Sequence, residues 1–378
     1  MKLVMVMKVR DEGDILEHNL RFHHALGVEH FIVTDHRSTD ETVDILARYA
    51  RAGLATVLRE ESEDFKHEAT GWIQAMARRA ATDLGAEWVI HGDADEFWWP
   101  AEGTLPEALG RIPQAYGAVV APRTEFVGRP DGPGSFADRL TVREAQSSLR
   151  PKVAYRGDPQ VVLIERGAHH ITSEAEVTHG DETGPDRAVF RTEEDRKARY
   201  RAPKVRFVSA PIWPLRVLHF PIRSQLQMQK RANVFLTGAG FANRGAVRAQ
   251  LKERYEAGEV QSIYEGVVWS DDEIEQAIAG GDLVRDERLK EFLPGCPDPC
   301  GQDPAPAGSV PVALSPEERD RELAAIEYDA MCLTTKFSNQ LMVTKQRLQA
   351  RVAELEEIQR KLRGRIKRLR ADSEHVGG

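Results

Sequence analysis

The sequence predicts an α/β chain built on a mainly parallel sheet, and two observations carry that prediction. Short apolar, β-prone runs alternate with stretches of helical length from the N-terminus to about residue 125, joined by short polar links. One of those runs, Trp88 to Ile90, leads into three carboxylates within four residues, Asp93, Asp95 and Glu96. A buried strand that finishes in acids sets charge at its carboxyl end, the edge where open α/β sheets bind ligands.

Each element has a local reason. Leu3 to Met7 is an unbroken apolar run, as expected of a strand covered on both faces. The turn Lys8 to Gly13 leads to Asp14, an N-cap residue for a helix carrying Ile15, Leu16, Leu20 and Leu26 until Gly27 stops it. A second strand, His30 to Thr34, runs into Asp35, and Ser38, Thr39 or Asp40 can cap the helix from Glu41 to about Ala52. Gly53 ends that helix and Leu54 to Leu58 makes a third strand. A longer helix from roughly His67 to Leu84, closed by Gly85, precedes the Trp88 strand. After the acids, Leu105 to Ile112 reads as a helix and Ala118 to Ala121 as a strand.

The acids are the chemical signal. Asp93 and Asp95, at alternate positions, can address one hard cation such as Mg²⁺ or Mn²⁺ from a turn past the strand. A solvated acidic turn has the same pattern, but Phe97, Trp98, Trp99 and Pro100 follow at once, and such aromatic surface lines a pocket or packs beneath one.

Composition bounds the rest. The 378 residues suffice for one large domain and an appendage, and a net charge of −8 gives no case for nucleic-acid binding. Cys296, Cys300 and Cys332 are too few for a disulfide framework and lack the second pair of a zinc site. The N-terminal apolar run is too short for a signal segment and no stretch approaches a membrane span, so the expected compartment is the cytoplasm.

Several motifs in order resemble family 2 glycosyltransferases. They are Lys8 to Glu12, Leu16 to His23, Leu26 to Asp35, Ser38 to Asp40, and Trp88 to Phe97, in which the D-x-D continues as D-E-F. The resemblance covers about residues 1–125 and implies the GT-A fold, a Rossmann-like nucleotide-binding mixed sheet with a metal-binding D-x-D, and transfer with inversion. It implies a nucleotide-sugar donor as co-substrate, Mn²⁺ or Mg²⁺ as cofactor, and a glycan or other hydroxyl acceptor. Carried over residue by residue, Asp95 is the main metal ligand, and Asp93 contacts the metal or the donor ribose. Arg10 and Glu12 border the nucleotide and Asp35 bonds the base or ribose. Arg78, on the helix before the acids, approaches the diphosphate or is an exposed helical arginine. This chain reads Asp35-His-Arg-Ser38 where family members commonly carry a glycine, so Arg37 departs from the pattern.

The second half should hold the acceptor side. Pro214 to Ser224 reads as a strand delivering His219, followed by a helix that Ser224 can cap; His219 is a third metal ligand or a packed histidine beside Phe220. Transfer with inversion needs a general base; Glu125, Glu165 and Glu174 are candidates, Glu125 foremost. His169 and His170 can bind metal or acceptor or sit on the surface, and Asp181 to Arg199 is too charged to build a core. The expected organisation is a transferase domain over 1–294 (nucleotide-sugar half to 125, acceptor half from 126), a Pro/Gly-rich linker over 295–316, and a helical tail over 317–370. In the tail Leu341, Leu348, Leu355, Leu362 and Leu369 repeat every seven residues with Lys345, Val352, Gln359 and Ile366 on the alternate seam, a coiled-coil pattern that favours homo-oligomers. Its basic character from Lys345 to Arg370 also allows peripheral membrane contact. A scaffold with a degenerate site is the rival reading. A nucleotidyltransferase would want more than the single glycine found in Lys8 to Gly13.

Overall fold

The computed structural model describes residues 1–62, 65–112, 117–146, 148–163, 171–173, 215–237, 246–301, 304–326 and 328–329. Its strands, numbered in chain order, are β1 (Leu3–Val9), β2 (His30–His36), β3 (Ala55–Glu60), β4 (Trp88–His91), β5 (Glu96–Pro100) and β6 (Ala118–Glu125) in the first part. Then come β7 (Val142–Glu144), β8 (Ser148–Arg156), β9 (Val161–Leu163), β10 (Ile171–Ser173), β11 (Leu215–His219) and β12 (Leu283–Arg285). Eight of them form one mixed sheet in the order β3-β2-β1-β4-β8-β6-β11-β5. The run β3-β2-β1-β4 is parallel, with Val9 opposite Asp35 and Val6 opposite His91. Strand β8 then runs antiparallel to β4 and β6, while β11 lies parallel to β6. The carboxyl ends of β1, β2, β4, β6 and β11 therefore share one edge.

Helices α1 (Leu16–Ala25), α2 (Thr42–Arg51) and α3 (Phe65–Thr82) make the crossovers of the parallel part. Leu3 to Met7 are fully buried, which is the reason that strand shows no polar alternation. Asp14 does not cap α1: the N-cap position is Ile15 without a side-chain bond, and the Asp14 carboxylate instead accepts from Arg223 at 2.7 and 3.0 Å. Asp40 serves α2, accepting the Thr42 amide at 3.0 Å. The aromatic run after the acids is itself a strand, β5, antiparallel to β11 with Glu96 opposite His219 and Trp98 opposite Val217. Phe97 reaches Phe22, Phe136 and Phe220 at centroid distances of 5.2, 5.8 and 5.6 Å, so the aromatics anchor the acid turn from beneath.

The expected linker is part of this fold. The Ala305 carbonyl meets His24 Nε2 at 3.1 Å, and the Gly308 and Val310 amides donate to the last carbonyls of α1, His24 and Ala25, at 3.0 and 3.1 Å. Gly103 and Val312 exchange bonds at 2.8 Å in both directions. A helix end has carbonyls open to further donors, and this strap supplies them, although the His24 carbonyl also accepts the Gly27 amide at 3.0 Å. The compact unit runs from Met1 to Asp329. Residues 316–326 are helical, opened by a reciprocal cap between Ser315 and Glu318. Arg216 of β11, 1% exposed, pairs there with Glu322 at 2.9 Å and Asp329 at 2.8 Å, and Arg288 joins Glu322 at 3.0 Å. The heptad leucines, Glu165, Glu174, His169, His170 and the charged stretch Asp181 to Arg199 lie outside the described residues. Among the described residues no helix is long and apolar enough to cross a membrane.

Candidate active site

A cavity of about 310 Å³ opens at the shared carboxyl edge, lined by the end of β1 and its loop (Lys8 to Glu12), the acid turn (Asp93 to Asp95), His219, and a helix that follows β11, α6. Within Gln225–Thr237, the span of α6 once the short helices α4 (Leu105–Gly110) and α5 (Phe136–Arg139) are numbered, Gln227, Lys230 and Arg231 face the cavity.

The acid turn is built by buried polar groups. Gly92 admits it because a Cβ there would run into Met5. Asn19 Nδ2 donates to the carbonyls of Ala94 and Glu96 at 3.0 and 2.9 Å, fixing the backbone on either side of Asp95. His23 accepts the Trp98 amide at 3.1 Å through Nε2 and bonds Asn19 through Nδ1. Burial lowers the pKa of His23 to about 3, so the neutral ring holds this geometry. Asn19 and His23, part of the helical motif in the sequence, thus position the turn.

The two aspartates have different company. Asp93 lies between Lys8 at 2.9 Å and Lys152 at 3.0 Å, and Lys152 also reaches Glu96 at 2.6 Å. Burial would raise the Asp93 pKa, but Lys152 and Lys8 outweigh it and hold the carboxyl well below its ordinary range. Glu96, fully buried, accepts the Asp93 amide at 2.9 Å and faces Arg123 at 3.3 Å. Asp95 instead stands 3.6 Å from His219 Nε2, 3.7 Å from Arg223 and 3.5 Å from Arg231. His219 Nδ1 is hydrogen-bonded to Glu125, whose other oxygen meets Arg123 at 2.7 Å. Burial works against the charged imidazole, yet Asp95 and Glu125 raise His219 to about 9. Glu12 pairs with Arg223 at 2.5 Å, and burial, only partly countered by Arg223, pushes its pKa up to about 7.

The loops after β1 and β2 are tied to each other. The Asp11 amide donates to Ser38 Oγ at 3.0 Å and the Thr39 amide to Asp11 at 2.7 Å. Asp11 and Arg37 both take positive φ, 53° and 59°. Arg37 therefore adopts the left-handed conformation that a glycine accepts without cost, so the turn survives the substitution under strain.

Of the residues singled out from sequence, Arg10, Glu12, Asp93, Asp95 and His219 line one cavity. Glu125 stands behind His219. Asp35 is buried and accepts the Ser38 amide at 3.2 Å, and Arg78 donates to the Val161 carbonyl at 3.0 Å; neither lines the cavity. The sequence reading passes over Lys152, Arg223, Gln227, Lys230 and Arg231. Lys152 had a weak signal, a cation leading directly into the apolar run Val153 to Tyr155. The other four follow His219 within twelve residues.

The donor set bears on a metal. Each Asp93 oxygen meets one lysine, which leaves lone pairs for a further partner. Asp95 Oδ2 and His219 Nε2, 3.6 Å apart at the cavity wall, fit as an oxygen and a nitrogen donor to one divalent ion. Among the described residues no group of three or more His, Cys, Asp or Glu converges, so such an ion would draw its other ligands from phosphate and water.

Comparison with known proteins adds the following. The model of glycosyltransferase family 92 matches residues 14–114, a span that carries Asp35, Arg78, Asp93 and Asp95 but stops short of Glu125 and His219. The matching family is 92, where the motifs resemble family 2. No curated protein matches the chain. Among solved structures, residues 1–349 of S. aureus TarS align at 14% identity over 68% of this chain and 71% of that one, with a TM-score of 0.30. The same TarS segment in complex with UDP-GlcNAc aligns at 21% identity over 42% and 46%, with a TM-score of 0.28. Glucosyl-3-phosphoglycerate synthase from Mycobacterium tuberculosis, in complex with Mn²⁺, UDP and phosphoglyceric acid, aligns at 18% identity over 32% and 43%, with a TM-score of 0.22. Residues 14–114 are thus similar to glycosyltransferase family 92.

Proposed function

We propose that the chain transfers a glycosyl group from a nucleotide-sugar donor to a hydroxyl acceptor, with inversion. The observation that carries the reading is the cavity itself, where the β1 loop, the acid turn and His219 meet at the carboxyl edge of a nucleotide-binding type of sheet. The family match through residues 14–114 supports it. Arg10 and Glu12 border the nucleotide, and Asp35 shapes the loop beside it. Asp95 and His219 hold a divalent cation. When bound, that cation supplies positive charge against the diphosphate leaving group. Asp93 neutralises Lys8 and Lys152, so the turn keeps its shape when donor charge changes beside it. Glu125 orients His219 through Nδ1, leaving Nε2 directed at Asp95 and the cavity.

A panel of nucleotide sugars, followed for Mn²⁺-dependent binding and hydrolysis, tests the proposal. One donor class should be hydrolysed, and Asp95→Asn should slow it by roughly 10²-fold or more while the thermal unfolding transition persists. Absence of binding and turnover across the panel would end the reading.

A further inference from the structure

We propose that α6 is the diphosphate-recognition element of the donor site, with Lys230 and Arg231 as its cations and Gln227 as the polar group beside them. This rests on the donor-site reading above and assigns a part of the site that neither the motifs nor the family match reaches, since the match ends at residue 114.

Gln227, Lys230 and Arg231 stand at i, i+3 and i+4, one face of the helix, and all three line the cavity. The opposite face is fixed. Met228 and Ala232 are buried with Tyr255, Val260, Ile263 and Tyr264, and Ser224 Oγ caps the helix by accepting the Gln227 amide at 3.0 Å. The helix cannot turn without breaking that cluster, so its polar face is committed to the cavity.

Gln227 gives the pointer to a ligand. It is 6% exposed, and its Oε1 has no hydrogen-bond partner among the described residues, while Nε2 lies 3.5 Å from the Pro221 carbonyl. A buried amide group left unpaired costs free energy that a ligand's hydrogen-bonding group recovers. Arg231 anchors one nitrogen on the Pro221 carbonyl at 2.9 Å and directs another toward Asp95 at 3.5 Å. Lys230 lies 2.5 Å from Asp40, whose carboxylate also serves the Gly13 amide at 3.2 Å and the Thr42 amide at 3.0 Å; an ammonium with three donors has some to spare.

The cavity also carries Lys8 and Arg10 on the β1 loop. Asp93 is held between two lysines, so the carboxylate that an entering anion faces is Asp95, beside Arg231. A nucleoside monophosphate held by the β1 loop satisfies one wall. In this proposal the second phosphate of a diphosphate is the one that α6 takes.

Titration calorimetry with UDP, GDP, UMP and GMP, in Mg²⁺ and again in EDTA, reads this directly. Arg231→Gln and Lys230→Gln should each weaken binding of the preferred nucleoside diphosphate about tenfold or more in both buffers, and shift its monophosphate less than twofold. Arg231 is 44% exposed at its side chain, so its variant should fold, and thermal unfolding verifies this. Unchanged diphosphate affinity in both variants overturns the proposal while leaving the donor site standing. Equal losses for mono- and diphosphate also overturn it, because α6 would then serve the nucleoside side. If the unaltered chain binds none of the four nucleotides, the donor-site reading falls and takes the proposal with it.

Discussion

Strand β11 carries two buried ionic clusters, one on each face, and they differ in what surrounds them. On one face Arg216 meets Glu322, Asp329 and Thr124, and the cluster continues through Arg288 and Asp286 to Arg143. On the other, His219 meets Asp95 and Glu125, with Arg223 and Arg231 beyond. The first is closed: Arg216 is 1% exposed and its carboxylates are engaged from several sides. The second opens on a cavity, with Arg231 44% exposed and the oxygen of Gln227 unpaired among the described residues. Paired charge that is sealed from water holds a fold together, whereas paired charge along a cavity wall can exchange its partners for a ligand. Burial alone does not tell these apart; the unfilled side does.

The largest expected effect breaks the closed cluster. Arg216→Ala removes the cation that Glu322 and Asp329 share, leaving Glu322 to Arg288 alone, and should cost roughly 3–5 kcal/mol of stability. Deleting residues 317–378 removes both of these carboxylates, leaving Arg288 to Asp286 and Arg216 to Thr124, so it should destabilise comparably. Urea unfolding of both variants measures this. A truncated protein as stable as the full chain would show the helix over 316–326 to be dispensable.

The next effect is in pH, and the two faces should fail at opposite ends. Burial would raise the Glu322 pKa, but Arg216 and Arg288 hold it down to about 2 from 4.5. Its contribution, about 3 kcal/mol, is therefore present above 4.5 and lost as pH falls toward 2. His219 is raised to about 9 from 6.5, so its contribution is present below 6.5 and lost as pH rises through 9. In chelated buffer, Glu322→Gln should be destabilised relative to the unaltered chain at pH 6 and not at pH 2. His219→Gln should be destabilised at pH 6 and not at pH 10. Parallel pH profiles for the two variants would erase the contrast.

The smallest effect sharpens the open side. Arg37 is exposed and pays for a positive φ of 59°, so Arg37→Gly should raise stability by about 0.5–1 kcal/mol, read as a higher melting temperature. A loss instead would mean that the arginine side chain itself holds the turn.

What the sequence made legible divides along physical lines. The parallel half, β1 to β4 with α1 to α3, announces itself because each strand contains an apolar run and a glycine, Gly27, Gly53 or Gly85, follows each helix. The chemistry at Asp95 and His219 is legible as residue types at strand ends. The partners of Asp93 are not, because Lys8 and Lys152 lie 144 positions apart and meet only through the sheet order β1-β4-β8. Strand β5 is hidden by its start, since three acids at its edge look like a loop until Glu96 proves buried. The strap over α1 is hidden for a similar reason: Pro and Gly signal a break in regular structure, and they carry no information on what the backbone bonds instead. Asp14 shows that an acid two residues ahead of a helix can be spoken for by an arginine 209 positions away.

Because its side chains alternate, β11 is also a reading frame of five residues, Leu215–His219. Inserting or removing one residue between Arg216 and His219 would put both on the same face. One cluster would then lose its cation, or the other its imidazole. Substitutions at Val217 or Leu218 that keep volume should be tolerated, yet an indel there strikes the scaffold and the cavity together. The strand is thus far more sensitive to length than to identity.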